Sequence, residues 1–554
     1  MTVTRRRFLA ATGAALVTVG CAPSIALPAR KRYDVLISGG AVFDGTGQTP
    51  RIADVALLAG RIAAIGPAIG DSARVIVDAR GLAVAPGFVD IHSHADSSLF
   101  DDPRAESVIR QGITTVVVGK DGGSRGPSVV PEGGVAQPSS TSMSFATIGD
   151  FLQAVDRLPS AINVASMVGL GTIRGLVIGA ADRPATASEL HRMRSFVADA
   201  LAQGACGASS GLEYPPGAFA SRGELIELCK PLAPLGLPYS THMRNEDDHL
   251  LEAVDEAIAI ARGAACPLQI SHLKTDGPRN WGKIDAVLAR IEAARDGGLD
   301  VAFDRYPYAA YATGLTLIFP VRTLDGGTSA FLSRIADATR RDSLRVAVLK
   351  KVMETIGGWD NIMIAGVADE RDRSAEGKRL GSYAASLGAD PYDTAVALLT
   401  RSKGDVGMVG FSMSEENVTR FLAHPLAMVC TDGGAFATEG PARRGHPHPR
   451  GLGAFPRVLG HYVRERKSLT LPQAIHKLTG LPATRAKLAD RGRLVPGLAG
   501  DVVVFDPATV RDRATFTEPF QYPDGIRAVV VNGEIVLRDG MRSQTRSGRA
   551  LRAS

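Results

Sequence analysis

Pro86-Gly87-Phe88-Val89-Asp90-Ile91-His92-Ser93-His94 is the stretch on which the fold turns. Phe88 to Ile91 is a short apolar run broken by one acid. Successive side chains of an extended chain point to opposite faces, so His92 and His94 project to the same side as the run ends. Two imidazoles converging at a strand end make half of a zinc-type donor set, a weak signal if it stood alone.

Working outward, the same arrangement recurs. His242 follows Tyr239-Ser240-Thr241, His272 follows Ile270-Ser271, and Asp432 follows Met428-Val429-Cys430-Thr431. Between His242 and His272, the residues Leu250, Val254, Ala257, Ile258 and Ala261 recur at helical spacing, flanked by the strand-length runs 238–241 and 268–271. Strand, loop and helix in alternation predict parallel βα units. Donors collected at the C-terminal ends of those strands predict an α/β fold of the (β/α)8, TIM-type barrel kind, in which strand ends surround one pocket. The chain has 11 histidines, and chance is a poor explanation for four of them at three strand ends.

The two ends of the chain have a different texture. From Arg32 to about Ala85, short apolar or alternating runs are broken by glycines, as in a small antiparallel sheet. Residues 501–505 and 528–531 are β-rich, and Asn532-Gly533 is a two-residue hairpin turn before 534–537. Both ends are therefore expected to combine in one small β-sandwich, 31–85 with 486–545, beside a barrel over 86–485. Residues 315–414 have a mixed helical texture and no evident ligands, which predicts an insertion over the barrel mouth.

A chain of 554 residues, 45% hydrophobic and 22% charged, can bury a large core. The formal charge of +6 owes much to Arg5, Arg6, Arg7, Arg30, Lys31 and Arg32 and to the tail beyond Arg538. No basic stripe interleaved with aromatics crosses the body, which argues against a nucleic-acid partner. Cys21, Cys206, Cys229, Cys266 and Cys430 have no close pairing, so neither a disulfide framework nor a thiolate zinc knuckle is indicated. Thr4-Arg5-Arg6-Arg7-Phe8-Leu9 before a small-residue apolar run to Val19 reads as a twin-arginine export signal over 1–30, addressing the protein to the periplasm or beyond. That run falls short of the ~20 residues a membrane span needs, so no transmembrane segment is expected; lipid modification at Cys21 is the alternative to plain cleavage.

With these residues in view, the opening stretch resembles the amidohydrolase superfamily. Longer blocks resemble its D-aminoacylase (N-acyl-D-amino-acid deacylase) branch: 210–217 (Ser-Gly-Leu-Glu-Tyr-Pro-Pro-Gly), 242–246 (His-Met-Arg-Asn-Glu), 270–274 (Ile-Ser-His-Leu-Lys), 306–308 (Tyr-Pro-Tyr) and 446–450 (His-Pro-His-Pro-Arg). The resemblance implies His92, His94, His242 and His272 as ligands of one or two Zn2+ or other divalent ions, with Asp432 as both ligand and proton shuttle. It implies Lys274, Tyr306 and Arg450 as holders of a substrate carboxylate, in an enzyme that deacylates N-acyl-D-amino acids. One position departs from the branch: where it carries Asn-Cys-Gly with a metal-binding Cys, this chain has Lys120-Asp121-Gly122. Asp121 then becomes the expected sixth ligand; carbamylated Lys120 is the alternative, and adjacent strand residues point apart, so only one of the two can serve.

Gly207-Ala208-Ser209-Ser210-Gly211 fits a nucleophile elbow, but prolines at 215 and 216 oppose the helix that an elbow requires. Two other readings stay open from sequence: a cyclic-amide hydrolase of the hydantoinase or dihydropyrimidinase type, and an exported binding protein that has kept the fold without the chemistry.

Overall fold

The computed structural model describes residues 33–70, 72–128 and 144–553. The export signal and Cys21 lie outside the described residues.

Eight short parallel strands carry the central architecture: β1 (Phe88–Asp90), β2 (Ile113–Val118), β3 (Asn163–Ser166), β4 (Ala208–Gly211), β5 (Tyr239–His242), β6 (Leu268–Ile270), β7 (Val301–Arg305) and β8 (Ala427–Val429). All six residues of β2 are buried, as expected of a parallel strand covered on both faces. The strands pair in chain order as two ladders, β1 to β3 and a second from Val168–Gly169 through β4 to β8, in which β7 lies beside β8. Met167 separates the two ladders, and its amide donates to the Val118 carbonyl at 2.9 Å.

The ladders do not form one continuous ring. Between β8 and β1 the link is made just past the strands: the Asp432 amide donates to the His92 carbonyl and the His94 amide to the Gly433 carbonyl, both at 2.9 Å. Buried Asp90 reinforces this seam by accepting from the Thr431 amide at 3.0 Å and from its hydroxyl.

The helices that wrap these strands follow the expected periodicity. Leu250–Ala264 buries Leu250, Ala253, Val254, Ala257, Ile258, Ala261 and Ala264 along one stripe. Helices Leu170–Val177 and Arg222–Cys229 are tied by a buried ion pair, Arg174 Nη1 to Glu224 Oε2 at 2.6 Å. Removing one partner strands the other charge in the interior, so Arg174→Met should lower stability by about 3–5 kcal/mol in a denaturant titration. A loss below about 1 kcal/mol would show that water reaches Glu224.

Strands from both chain ends share a nine-stranded sheet. The join is antiparallel pairing of Val502–Phe505 with Ala83–Pro86. The strands of the small β-domain are thus hydrogen-bonded in one continuous path from the N-terminal to the C-terminal part. Val35, Ile37, Val55, Val84, Val502, Val504 and Val530 enclose a core of their own against it. Asn532 and Gly533 have φ of 49° and 82°, the left-handed pair that a two-residue hairpin needs. The tail beyond 545 returns to the central strands: the Val164 amide donates to the Arg549 carbonyl at 3.0 Å.

Between β7 and β8 lies the insertion. Its three-stranded antiparallel sheet, Tyr311–Gly314, Val406–Gly410 and Ile362–Val367, begins upstream of the expected 315. Among the described residues, no helix is long and apolar enough to cross a membrane. Cys206, Cys229, Cys266 and Cys430 are buried free thiols.

Candidate metal centre and active site

A cavity of about 560 Å³ opens at the C-terminal ends of the parallel strands. His94, Asp121, His242, His272, Lys274, Tyr306, Asp432 and Arg450 all line it. Asp121, His272 and Asp432 have φ of 53°, 32° and 46°. Non-glycine residues rarely occupy this left-handed region, and strain of this kind collects at functional sites, where surrounding contacts hold it in place.

The donors fall into two groups that share Asp121. In the first, His92 Nε2 lies 3.2 Å from Asp121 Oδ2, while His94 Nε2 lies 3.4 Å from the same oxygen and 3.2 Å from Asp432 Oδ1. In the second, His242 Nδ1 is 3.0 Å from His272 Nε2, which is 3.6 Å from Asp121 Oδ1. Within each group the donor atoms lie within 4.8 Å of one another. Asp121 thus turns one oxygen to each side, and its buried Oδ1 has no hydrogen-bond partner among the described residues. Imidazole nitrogens and carboxylate oxygens at this spacing fit one or two divalent ions.

Outer carboxylates orient the imidazoles, a pattern common to metal-binding histidines. Asp304 on β7 lies 3.3 Å from His92 Nδ1 and accepts the His272 amide at 2.8 Å. Glu246 lies 3.1 Å from His272 Nδ1, and Glu213 lies 3.3 Å from His242 Nε2. Sequence reasoning assigned no role to these three. Asp304 offered a signal, a carboxylate near the end of the apolar run 301–305; Glu246 and Glu213 lay inside blocks read only for their resemblance.

Electrostatics follow from this crowding. Burial works against charge on His92 and His94, yet the Asp121 and Asp432 carboxylates outweigh it and raise them to about 9 and about 10. The field that draws protons there also suits a divalent cation. Burial likewise opposes charge on Asp432, but Arg450, His92 and His272 hold it well below the usual carboxylate range. Arg450 Nη1 stands 2.9 Å from Asp432 Oδ2, and its guanidinium lies 4.6 Å over the Tyr306 ring.

The three expected carboxylate holders differ in readiness. Tyr306 is buried and its hydroxyl has no hydrogen-bond partner among the described residues. Burial pushes its pKa up, which keeps it a proton donor. Lys274, by contrast, is already engaged: its ammonium bonds Glu246 and lies 2.8 Å from His272 Nδ1. The insertion, expected to be silent, brings Lys351 to the cavity wall.

Lys120, outside both donor groups, gives its Nζ to Ser240 Oγ at 2.7 Å. Ser209 Oγ donates to the Gly119 carbonyl at 2.6 Å, and Ser210 Oγ pairs with Tyr239 Oη at 2.6 Å. Both serines are buried on β4, without the imidazole that a nucleophile needs.

A model described as "Amidohydrolase family" matches residues 75–537. D-aminoacylase from Alcaligenes xylosoxydans xylosoxydans is 37% identical, over 94% of this chain and 97% of that protein. N-acyl-D-glutamate deacylase from the same organism is 38% identical over 94% and 97%. The crystal structure of N-acyl-D-glutamate deacylase from Bordetella bronchiseptica, complexed with zinc and a phosphonate mimic of the tetrahedral intermediate, superposes with a TM-score of 0.80 at 37% identity, covering 94% of this chain and 100% of that one. Folds of this group are of the TIM-barrel type.

Proposed function

The chain belongs to the amidohydrolase family, and from that premise we propose that it hydrolyses the amide of N-acyl-D-amino acids, releasing a carboxylate and a D-amino acid, with zinc as its metal. The observation that carries this reading is the meeting of four imidazoles with Asp121 and Asp432 at one cavity, lined by all of them except the buried His92, beside Tyr306 and Arg450.

His92, His94, Asp121 and Asp432 would hold one ion, and Asp121, His242 and His272 a second. Bound there, a divalent ion polarises the amide carbonyl and brings a water's pKa toward neutrality. Asp432 takes the proton from the attacking water and delivers it to the departing nitrogen, acting as base and then acid. Unliganded, its basicity is suppressed by Arg450. When the substrate carboxylate engages the guanidinium, part of that field is withdrawn from Asp432, and the base strengthens as substrate binds. Tyr306 donates its hydroxyl to the same carboxylate. Tyr306→Phe should raise KM about tenfold or more, the worth of a hydrogen bond to a charged group, with kcat much less affected; an unchanged KM would remove Tyr306 from the subsite.

In architecture, the reading is a closed (β/α)8 barrel flanked by a small β-domain from both chain ends. In localisation, it is twin-arginine export directed by 4–19, with cleavage or lipid modification near Cys21.

The test is amine release from N-acetyl-D-amino acids, N-acetyl-L-amino acids and hydantoins by the purified protein, with metal quantified. Turnover confined to the D-amides is the expected result. Turnover of hydantoins alone would replace the reading with a cyclic-amide hydrolase, and absence of both metal and turnover with a binding protein.

A further inference from the structure

The cavity is lined by more charge than deacylation requires. The surplus lies together, on the loops after β5 and β6 and on the insertion: Asp247, Asp276, Tyr311 and Lys351, beside Glu213 on the loop after β4, which also faces His242. Three carboxylates here face the Lys351 ammonium, with Lys274, already bonded to Glu246, acting on Asp276 as well. Lys351 is bound by Asp247, and Asp276 accepts from the Ser412 hydroxyl. Glu213 faces His242 Nε2 at 3.3 Å.

Tyr311 is an independent sign that this wall awaits a ligand. It is 6% exposed, and its hydroxyl has no hydrogen-bond partner among the described residues. A buried hydroxyl left without a partner is costly unless something else completes it. Together with burial, the charges of Asp276, Glu213 and Asp247 push its pKa well up, so it stays a neutral hydroxyl that can accept a hydrogen bond as well as give one.

Connectivity places this wall relative to the substrate. In an N-acyl amino acid, the α-carbon carries both the carboxylate and the side chain, and the acyl arm lies across the scissile bond. Asp276 follows Lys274 by two positions on the loop after β6, at the end of the cavity assigned to the carboxylate. The loops after β1 and β2 supply the other part of the lining, where Arg125 Nε is paired with Asp96 at 3.1 Å.

We propose that Glu213, Asp247, Asp276 and Tyr311 form a side-chain subsite that selects substrates whose side chain ends in a cation, an ammonium or guanidinium, as in N-acyl derivatives of D-lysine and D-arginine. This inference rests on the deacylase reading above. Burial pushes Asp276 up to about 7 against the pull of Lys351, which leaves it as the carboxylate a new cation would stabilise most. A buried anion without full compensation favours an incoming opposite charge and rejects a like one. An acidic side chain would meet three carboxylates, and an apolar one would leave them unsatisfied.

The test is kcat/KM for N-acetyl-D-arginine, N-acetyl-D-leucine and N-acetyl-D-glutamate on the metal-loaded full-length protein and on D276N and K351M. The wild type should prefer arginine to both others by tenfold or more. D276N should reduce the arginine-to-leucine ratio by about tenfold or more, as loss of one member of a buried charge pair implies, and K351M should raise that ratio. If D276N does not fold, the opposite shift in K351M still carries the test. Leucine or glutamate turned over at least as fast as arginine, or a lower ratio in K351M, would overturn the subsite and leave the deacylase standing. No turnover of any of the three would overturn both.

Discussion

Asp432→Asn should lower kcat on an N-acetyl-D-amino acid by about 10²–10⁴-fold, the range that a positioned acid–base group supplies. The change is close to isosteric, so the fold should survive; what disappears is a carboxylate that serves three neighbours at once. Asp432 lies 3.2 Å from His94 Nε2, 3.6 Å from His92 Nε2 and 2.9 Å from Arg450 Nη1. An amide can offer an oxygen to the metal set but cannot accept a proton from water at neutral pH. The decisive measurement pairs steady-state kinetics with metal content on the same preparation. Turnover within a few-fold of wild type, at full metal content, would remove Asp432 from the proton path. Lost metal with lost activity would make it chiefly a ligand.

Replacing Asp121 by Ala should have the next largest effect, and through the metal. This carboxylate stands between the two donor groups, Oδ2 toward His92 and His94 and Oδ1 toward His272. Without it the first group keeps Asp432 beside His92 and His94, and the second loses the carboxylate that joins it to the first. Zinc affinity and kcat should both fall, by more than the 10–100-fold that loss of an outer-shell partner alone costs. Asp121→Cys should restore both, because a thiolate is a normal zinc ligand at the same charge. Full zinc content and activity in the Ala variant would shift the bridging role elsewhere, and Lys120, now bonded to Ser240, would be the first residue to reconsider.

Local chemistry made much of this legible in sequence. Most donors follow a short strand-length run, and that recurrence at βα spacing is what suggests that the strand ends meet at one pocket. The hairpin at Asn532-Gly533 was equally legible, because the left-handed backbone it needs is a property of those two residue types.

Contacts between distant segments were not legible. That Val502–Phe505 joins Ala83–Pro86 into one sheet depends on which edges meet, and alternating hydrophobicity does not encode a partner. Asp304, Glu246 and Glu213 acquire their positions against His92, His272 and His242 only when separate strands converge, and nothing in their own flanking residues marks that meeting.

By itself, then, the sequence pointed to parallel βα units and to candidate donors at their strand ends, which follow from residue type and spacing along the chain, while the reaction came from the resemblance of longer blocks to the D-aminoacylase branch. Tertiary structure alone decided that Asp121 rather than Lys120 faces the donors, that Lys274 is held by Glu246, and that Lys351 reaches the cavity from the insertion. The physical reason is that an ion pair's energy depends on separation in space, which the position of its members in the chain does not specify.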